Sequence, residues 1–362
     1  LSLGAPMNPV AAETDHLLVQ AESVTQFTWD YEPTNAQLTR LYEKGKVSQW
    51  NATTDVDWTP DVRWGEPDPS MTDEERAMIG SFLNLDAPDS PFAGMTEEQR
   101  ALVGWELQAW MVSQFMHGEQ GALVATARLV ETVPDIESKY YAANQVNDEA
   151  RHVEAYATYL NTKLPGHEYE ISKPLEALLV DIMTEKRWDI TYLGMQIMVE
   201  GLALAAFGMG NVMFNDPVIK QITDLVMRDE ARHVAFGVLA LKEVVPQLSA
   251  AELADREEFL LEATDLMYRR FLLEQLWERL GIDVAEGKEF AATNPLMIMF
   301  RQVLFSKIVP NVNKLGLMTP RVRQCFEDLQ VAQFADQLDT ASEELSSLAG
   351  AESLADIART AG

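Results

Sequence analysis

Residues 148–153 read Asp148-Glu149-Ala150-Arg151-His152-Val153, and residues 229–234 repeat them letter for letter as Asp229-Glu230-Ala231-Arg232-His233-Val234. The copies lie 81 positions apart (149 to 230). The same shift carries Glu119 onto Glu200, where Glu119-Gln120-Gly121-Ala122-Leu123 stands against Glu200-Gly201-Leu202-Ala203-Leu204. The repeating unit is therefore a pair of helices used twice. The first helix of each pair brings one glutamate, and the second brings Glu-x-x-His.

Helix geometry gives that spacing a purpose. Positions i and i+3 lie about 60° apart around a helix and roughly one turn along it, so both side chains can grip one ion. Four helices then offer Glu119, Glu149, His152, Glu200, Glu230 and His233. A carboxylate can bridge two cations, so this set suits two divalent metals. Oxygen and nitrogen donors without sulfur favour iron or manganese over structural zinc. A single Glu-x-x-His is often only a surface pair. Two in the same local sequence, each with a glutamate on an apolar helix 30 residues upstream (119 to 149, 200 to 230), are far more specific. Glu119 stands among Phe115, Met116, Ala122, Leu123 and Thr126, and Glu200 among Gln196, Ile197, Ala203, Leu204 and Phe207. Both are expected to face the core, where an unpaired carboxylate costs several kcal/mol. A cation removes that cost.

Outward from this repeat the chain reads as helix throughout, and the expected fold class is all-α, a four-helix bundle with additional N- and C-terminal helices. Thr72-x-x-Glu75, Thr96-x-x-Gln99 and Ser249-x-x-Glu252 look like helix-start capping boxes. Helices are predicted from about Thr96 to Thr132 before Pro134, from Asp135 to Lys163 before Pro165-Gly166, from Pro174 to Phe214, and from Asp216-Pro217 to Val245. A fifth follows Ser249, and further helical segments fill about 289–309 and 320–348. Residues 1–69 hold Trp29, Trp50, Trp58 and Trp64 and read as an extension draped over the domain, with one short helix around Asn35–Trp50. The expected division is 1–69 as extension, 70–348 as helical domain with its core bundle at about 96–245, and 349–362 as tail.

The formal charge is −29, which repels phosphate backbones and argues against a nucleic-acid partner. It fits a solvated surface, or the docking of a basic redox partner. A single cysteine, Cys325, excludes an internal disulfide and a thiolate cluster, and fits a cytoplasmic location. Residues 190–214 carry one charge, Glu200, and are long enough to span a bilayer. A glutamate at the centre of a lipid-facing helix is costly, so an inner helix of a large bundle is the expectation, with no membrane span.

Over about residues 96–245 this arrangement resembles the ferritin-like di-iron carboxylate superfamily, in which two helices give a glutamate each and two give Glu-x-x-His. Its members include ribonucleotide reductase small subunits, R2-like ligand-binding oxidases, multicomponent monooxygenase hydroxylases, acyl-carrier-protein desaturases, aldehyde-deformylating oxygenases and arylamine N-oxygenases. The Asp-Glu-x-Arg-His form is similar to the monooxygenase hydroxylases in particular. The resemblance implies two iron ions, or a manganese and an iron, with dioxygen as co-substrate. It also implies a small organic substrate, an electron-donating reductase or ferredoxin, and compatibility with a homodimer. It implies that Asp148 and Asp229 accept the free N–H of a ligand histidine; each lies four residues before the histidine of its own helix. Ion pairing with Arg151 or Arg232 is the plainer alternative.

Tyr156 lies one turn after His152, which matches the radical tyrosine of ribonucleotide reductase small subunits; a core tyrosine is the bland reading. The second repeat has Gly237 in its place, which is expected to open space beside the second metal. The arylamine N-oxygenases carry a further histidine where this chain has Val226, a departure from that group. His117 reads as structural, and His16 and His167 lie outside the ligand helices. Met195, Met198, Met209 and Met213 read as core or as a flexible pocket.

Three functions follow. The first is an O2-dependent oxidase or monooxygenase, with Glu119, Glu149, Glu200, Glu230 and Tyr156 as catalytic candidates; hydroxylation, desaturation and N-oxygenation all fit. The second is a radical-generating subunit, favoured by Tyr156 and opposed by the absence of Tyr or Trp between Asp339 and Gly362. The third is a non-catalytic iron-binding or storage protein, against which the large terminal extensions argue.

Overall fold

Thr96 opens the first long helix as its spacing predicts. Its hydroxyl accepts the N–H of Gln99, whose side chain accepts the N–H of Thr96 in return. The computed structural model describes residues 17–66, 90–214 and 216–348, with 72, 74, 356, 357 and 359. The box expected at Thr72 needs Glu75 and so lies outside the described residues, as does His16.

Helix α1 spans Ala36–Val47, capped by the side-chain Oδ1 of Asn35, which accepts the N–H groups of Gln37 and Leu38. Helices α2 (Glu97–Thr132) and α3 (Ile136–Lys163) follow and pack along their lengths. Helix α4 covers Lys173–Thr184, and α5 runs over Trp188–Met213. Helix α6 covers Pro217–Val244, with Asp216 capping Val218 and Ile219 and Pro217 at the first position, where its missing N–H costs nothing. Helix α7 is Ala250–Arg270, opened by the Ser249–Glu252 box. Helices α2, α3, α5 and α6 form the bundle, and no strand occurs among the described residues. The fold is all-α, as the repeat implied.

The structure departs from the expectation of one helix over 174–214. The chain breaks at Glu185–Arg187 because Glu185 Oε1 accepts the N–H groups of Lys186 and Arg187, at 2.7 and 2.8 Å. Those bonds replace the helical ones, and α4 turns away to pack on α7. Within α5, Leu193–Val199 is wound as a π-helix, and the N–H of Glu200 reaches back to the Met195 carbonyl. Such wider turns are uncommon and often sit at functional sites. The most apolar window of Trp188–Met213 is long enough to cross a bilayer, yet 94% of it is buried inside the protein.

The segment expected as helix over 289–309 is split by Asn294-Pro295 into Val284–Thr293 and Pro295–Leu304, since proline supplies no N–H to continue a helix. The segment expected over 320–348 is likewise divided, into Pro320–Asp328 and Thr340–Ser347. Short helices Glu274–Leu280 and Val309–Lys314 were not foreseen. Helix α1 packs on α3 and α6, which brings the chain following it against the bundle core.

Candidate metal centre

Glu119 comes from α2, Glu149 and His152 from α3, Glu200 from α5, and Glu230 and His233 from α6. All six are buried, none more than 5% exposed. Their donor atoms converge into two groups. Glu119, Glu149, His152 and Glu230 form one, and Glu149, Glu200 and His233 the other, with the atoms of each within 4.8 Å of one another. His152 Nδ1 lies 3.2 Å from Glu119 Oε2, 3.4 Å from Glu149 Oε2 and 3.2 Å from Glu230 Oε1. His233 Nδ1 lies 3.1 Å from Glu149 Oε1 and 3.4 Å from Glu230 Oε1. Glu149 and Glu230 thus stand between the two imidazoles.

The groups fit a pair of cations. Glu200 Oε2 and Glu230 Oε2 are buried without a hydrogen-bond partner, and Glu149 Oε2 and Glu230 Oε1 have only the imidazole nitrogens near them. Leaving buried acceptors unsatisfied costs about 1–3 kcal/mol each, and more when charged. Ions coordinated by these atoms would satisfy all of them together. Without ions, burial and then the charge of Glu230 push the carboxyls of Glu119 and Glu200 well above their ordinary range. Burial also pushes Glu149 up, but His233 and His152 outweigh it and hold that carboxyl below its usual range.

Asp148 and Asp229 do meet the histidines, but across the repeat and not along their own helices. His152 Nε2 donates to Asp229 Oδ2 at 3.0 Å, and His233 Nε2 donates to Asp148 Oδ2 at 3.3 Å. The pairing expected within each helix is corrected by the helix crossing, which sets α3 and α6 side by side. The alternative reading also holds. Arg151 Nη2 lies 2.6 Å from Asp148 and 3.0 Å from Asp229, while Arg232 pairs with Asp229. A proton fixed at Nε2 leaves the Nδ1 lone pair free to face a metal.

Residues from the N-terminal extension complete this layer. Gln49 Nε2 donates to Asp148 Oδ1 at 2.8 Å, and Trp50 Nε1 donates to Asp229 Oδ2 at 2.8 Å. Trp50 stacks on His152 with ring centroids 6.1 Å apart and lies under Arg151. Nothing in the spacing of the extension pointed to this. Gln145, one turn before Glu149, donates to Glu149 Oε1 at 2.9 Å and to Glu200 Oε1 at 2.7 Å. Its place on the ligand face was the available signal.

Tyr156 is fully buried against Phe115 and Phe207, with ring centroids 6.0 and 6.2 Å away. Its hydroxyl faces Thr223, the one polar side chain that lowers its pKa by hydrogen bonding. Burial, then the nearby Glu119 carboxylate, raises its pKa. Gly237 does not open space, contrary to expectation. A Cβ there would meet Gln196 Cβ at 2.4 Å, so the side chain from the π-wound stretch fills the position. His117 is structural as read, with Nε2 2.9 Å from the Tyr169 carbonyl, and His167 stacks on Trp64. Met195 and Met198 are core, while Met209 and Met213 line an open groove of about 1240 Å³ outside α5 and α6 that reaches Trp50 and Asp229.

No protein-family profile matches the chain, and no curated protein sequence matches it. Among solved structures it is similar to a point mutant of an R2-like ligand-binding oxidase with anaerobically reconstituted Mn/Fe cofactor. The identity is 17% and the TM-score 0.46, covering 78% of this chain and 93% of that one. It is also similar to an R2-like ligand-binding oxidase with aerobically reconstituted metal cofactor after photoconversion. There the identity is 16% and the TM-score 0.44, covering 85% of this chain and 94% of that one. These are likenesses of helical arrangement. The chemistry of the site rests on this chain's own side chains.

Proposed function

We propose that the chain is an O2-dependent oxidase or monooxygenase acting on a small organic substrate, with Glu119, Glu149, His152, Glu200, Glu230 and His233 holding two metal ions. The observation that carries this reading is the convergence of four buried glutamates and two buried histidines into two adjoining groups of donor atoms. Two iron ions suit the donors, and a manganese–iron pair suits them equally. Such a pair supplies the electrons that reduce dioxygen.

The protein's own residues do the rest. Asp229 and Asp148 keep the proton of each imidazole on Nε2, so Nδ1 remains a donor. Phe115, Phe207 and Val199 line a narrow cavity against Glu119, Glu200 and Glu230 and exclude bulk water. On the opposite side, the bonds from Trp50 to Asp229 and from His152 to Asp229 join the surface groove to the centre. That is a route by which an external reductase or ferredoxin could deliver electrons. The buried Tyr156, one helical turn after His152, favours a second reading, a radical-generating subunit, in which this tyrosine is oxidised.

The test is metal loading under anaerobic conditions followed by air. Two metals per chain and dioxygen uptake support the reading. Many irons per chain would indicate storage. Glu149→Ala and His233→Ala should lose metal and uptake together, and full metal occupancy in both variants would refute the ligand assignment.

A further inference from the structure

The duplication is not exact around the donor atoms. Shifted by 81 positions, Gln145 on α3 falls on Val226 of α6, Gln196 on α5 answers Phe115 of α2, and Gly237 answers Tyr156. In one half Phe115 and Tyr156 pack as rings with centroids 6.0 Å apart. In the other half the missing side chain at Gly237 admits Gln196, whose Cβ lies 2.4 Å from where a Cβ at 237 would stand. Gln196 Nε2 then reaches Gln145 Oε1 at 3.5 Å, a long bond. Both amides are fully buried, as is Val226. One half thus carries an amide pair where the other carries Val226 and two rings.

Both hydrogens of the Gln145 amide are engaged by candidate ligands. Nε2 donates to Glu149 Oε1 at 2.9 Å and to Glu200 Oε1 at 2.7 Å. Glu149 Oε1 is the oxygen beside His233 Nδ1, at 3.1 Å, while Oε2 is the one beside His152 Nδ1. Glu200 belongs to the His233 group alone. With Oε1 held, Glu200 has Oε2 left for an ion, and that atom is buried without a hydrogen-bond partner. Both bonds therefore fall on one side of the pair, and Val226 has no donor to give the other side. We infer that Gln145 is the positioning residue for one ion of the pair, fixing Glu149 and Glu200 toward the His233 position and leaving the His152 position to its own ligands. This inference rests on the two-metal reading. A hydrogen bond to a ligand carboxylate sets its orientation before the ion arrives, and loss of such a partner costs about 10- to 100-fold in affinity.

The test is anaerobic titration of the full chain with manganese(II), with the free ion followed by paramagnetic resonance. The wild type should bind two ions per chain. Gln145→Met keeps the length of the side chain and removes its donor. It should bind one ion as tightly as the wild type and the other about 10- to 100-fold more weakly. Gln145→Asn, whose shorter amide reaches at most one of the two carboxylates, should fall between. Glu119→Ala removes a ligand from the His152 group alone. The ion that stays tight in that variant should be the one that Gln145→Met, added to it, weakens.

Two ions held as tightly by Gln145→Met as by the wild type would overturn the inference. So would equal weakening of both ions, which would make Gln145 a structural residue, or a tight ion in Glu119→Ala that the added Gln145→Met leaves tight. If Gln145→Met does not fold, Gln145→Asn must by itself weaken one ion and spare the other, or the inference fails. A wild type that binds fewer than two ions would refute the two-metal reading and this inference with it. A wild type that binds two ions but takes up no dioxygen would refute only the oxidase, and the titrations would still decide the role of Gln145.

Discussion

Asp229 and His152 sit 77 residues apart on different helices, and the Nε2–H of one meets the Oδ2 of the other at 3.0 Å. The reciprocal bond joins Asp148 to His233 at 3.3 Å. Each half of the repeat therefore orients the imidazole of the other half, and neither hairpin can build its half of the site alone.

Asp229→Asn tests that exchange. The amide keeps the shape and loses the charge that fixes His152, so affinity on the His152 side should fall about 10- to 100-fold. Metal titration should then show one tight and one weak ion per chain. Two equally tight ions would mean that Asp229 serves only its arginines and Trp50.

Acidity should separate the metal-free and loaded proteins. Burial, then Glu230, raises the carboxyls of Glu119 and Glu200. Burial opposes charge on His152 and His233, but Asp229 and the glutamates around His152, and Glu230 and Glu149 around His233, raise both imidazoles well above their ordinary value. A raised carboxyl costs folding energy as pH climbs past its unfolded value, and a raised imidazole loses its stabilisation as pH climbs through its folded value. Both make the metal-free protein weaker between about pH 5 and 8. The lowered carboxyls of Glu149 and Asp229 act only in acid, below about pH 4. Metals displace the protons, so the gap in Tm between loaded and metal-free protein should widen with pH. A constant gap across that range would contradict the coordination by these six groups.

Tyr156→Phe removes a buried hydroxyl whose one polar neighbour is the weakly placed hydroxyl of Thr223. Stability should change by less than about 1 kcal/mol, and metal content should stay at two per chain. If dioxygen-dependent turnover also survives and no tyrosyl signal is lost from the paramagnetic resonance spectrum, the radical reading fails.

Gly237→Ala drives a methyl group to 2.4 Å from Gln196 Cβ, close to backbone and not at a flexible tip. Overpacking of this kind costs about 1–3 kcal/mol. Chemical denaturation should show the loss. An unaltered midpoint would mean that the π-wound stretch yields easily.

The six candidate ligands were legible because Glu-x-x-His obeys helix geometry, and a duplicated offset survives whatever the loops do. The caps at Thr96, Asp216 and Ser249 were legible for the same local reason. Which aspartate meets which histidine was not, because that follows from how α3 crosses α6, and sequence spacing knows only one helix at a time. The break after Thr184 depended on a single side chain, Glu185, turning back onto its own backbone. Trp50 was invisible because it reaches the centre from a distant segment, and an isolated tryptophan carries no periodic mark.

The hairpins match residue for residue around their Glu-x-x-His, yet the neighbours Gln49 and Trp50 fall one on each half, an amide on Asp148 and an indole on Asp229. Two near-identical cups are thereby made chemically distinct by a pair of adjacent residues from outside the duplication. Ions seated in them would meet different surroundings, so the two positions would differ in affinity although their glutamates and histidines repeat.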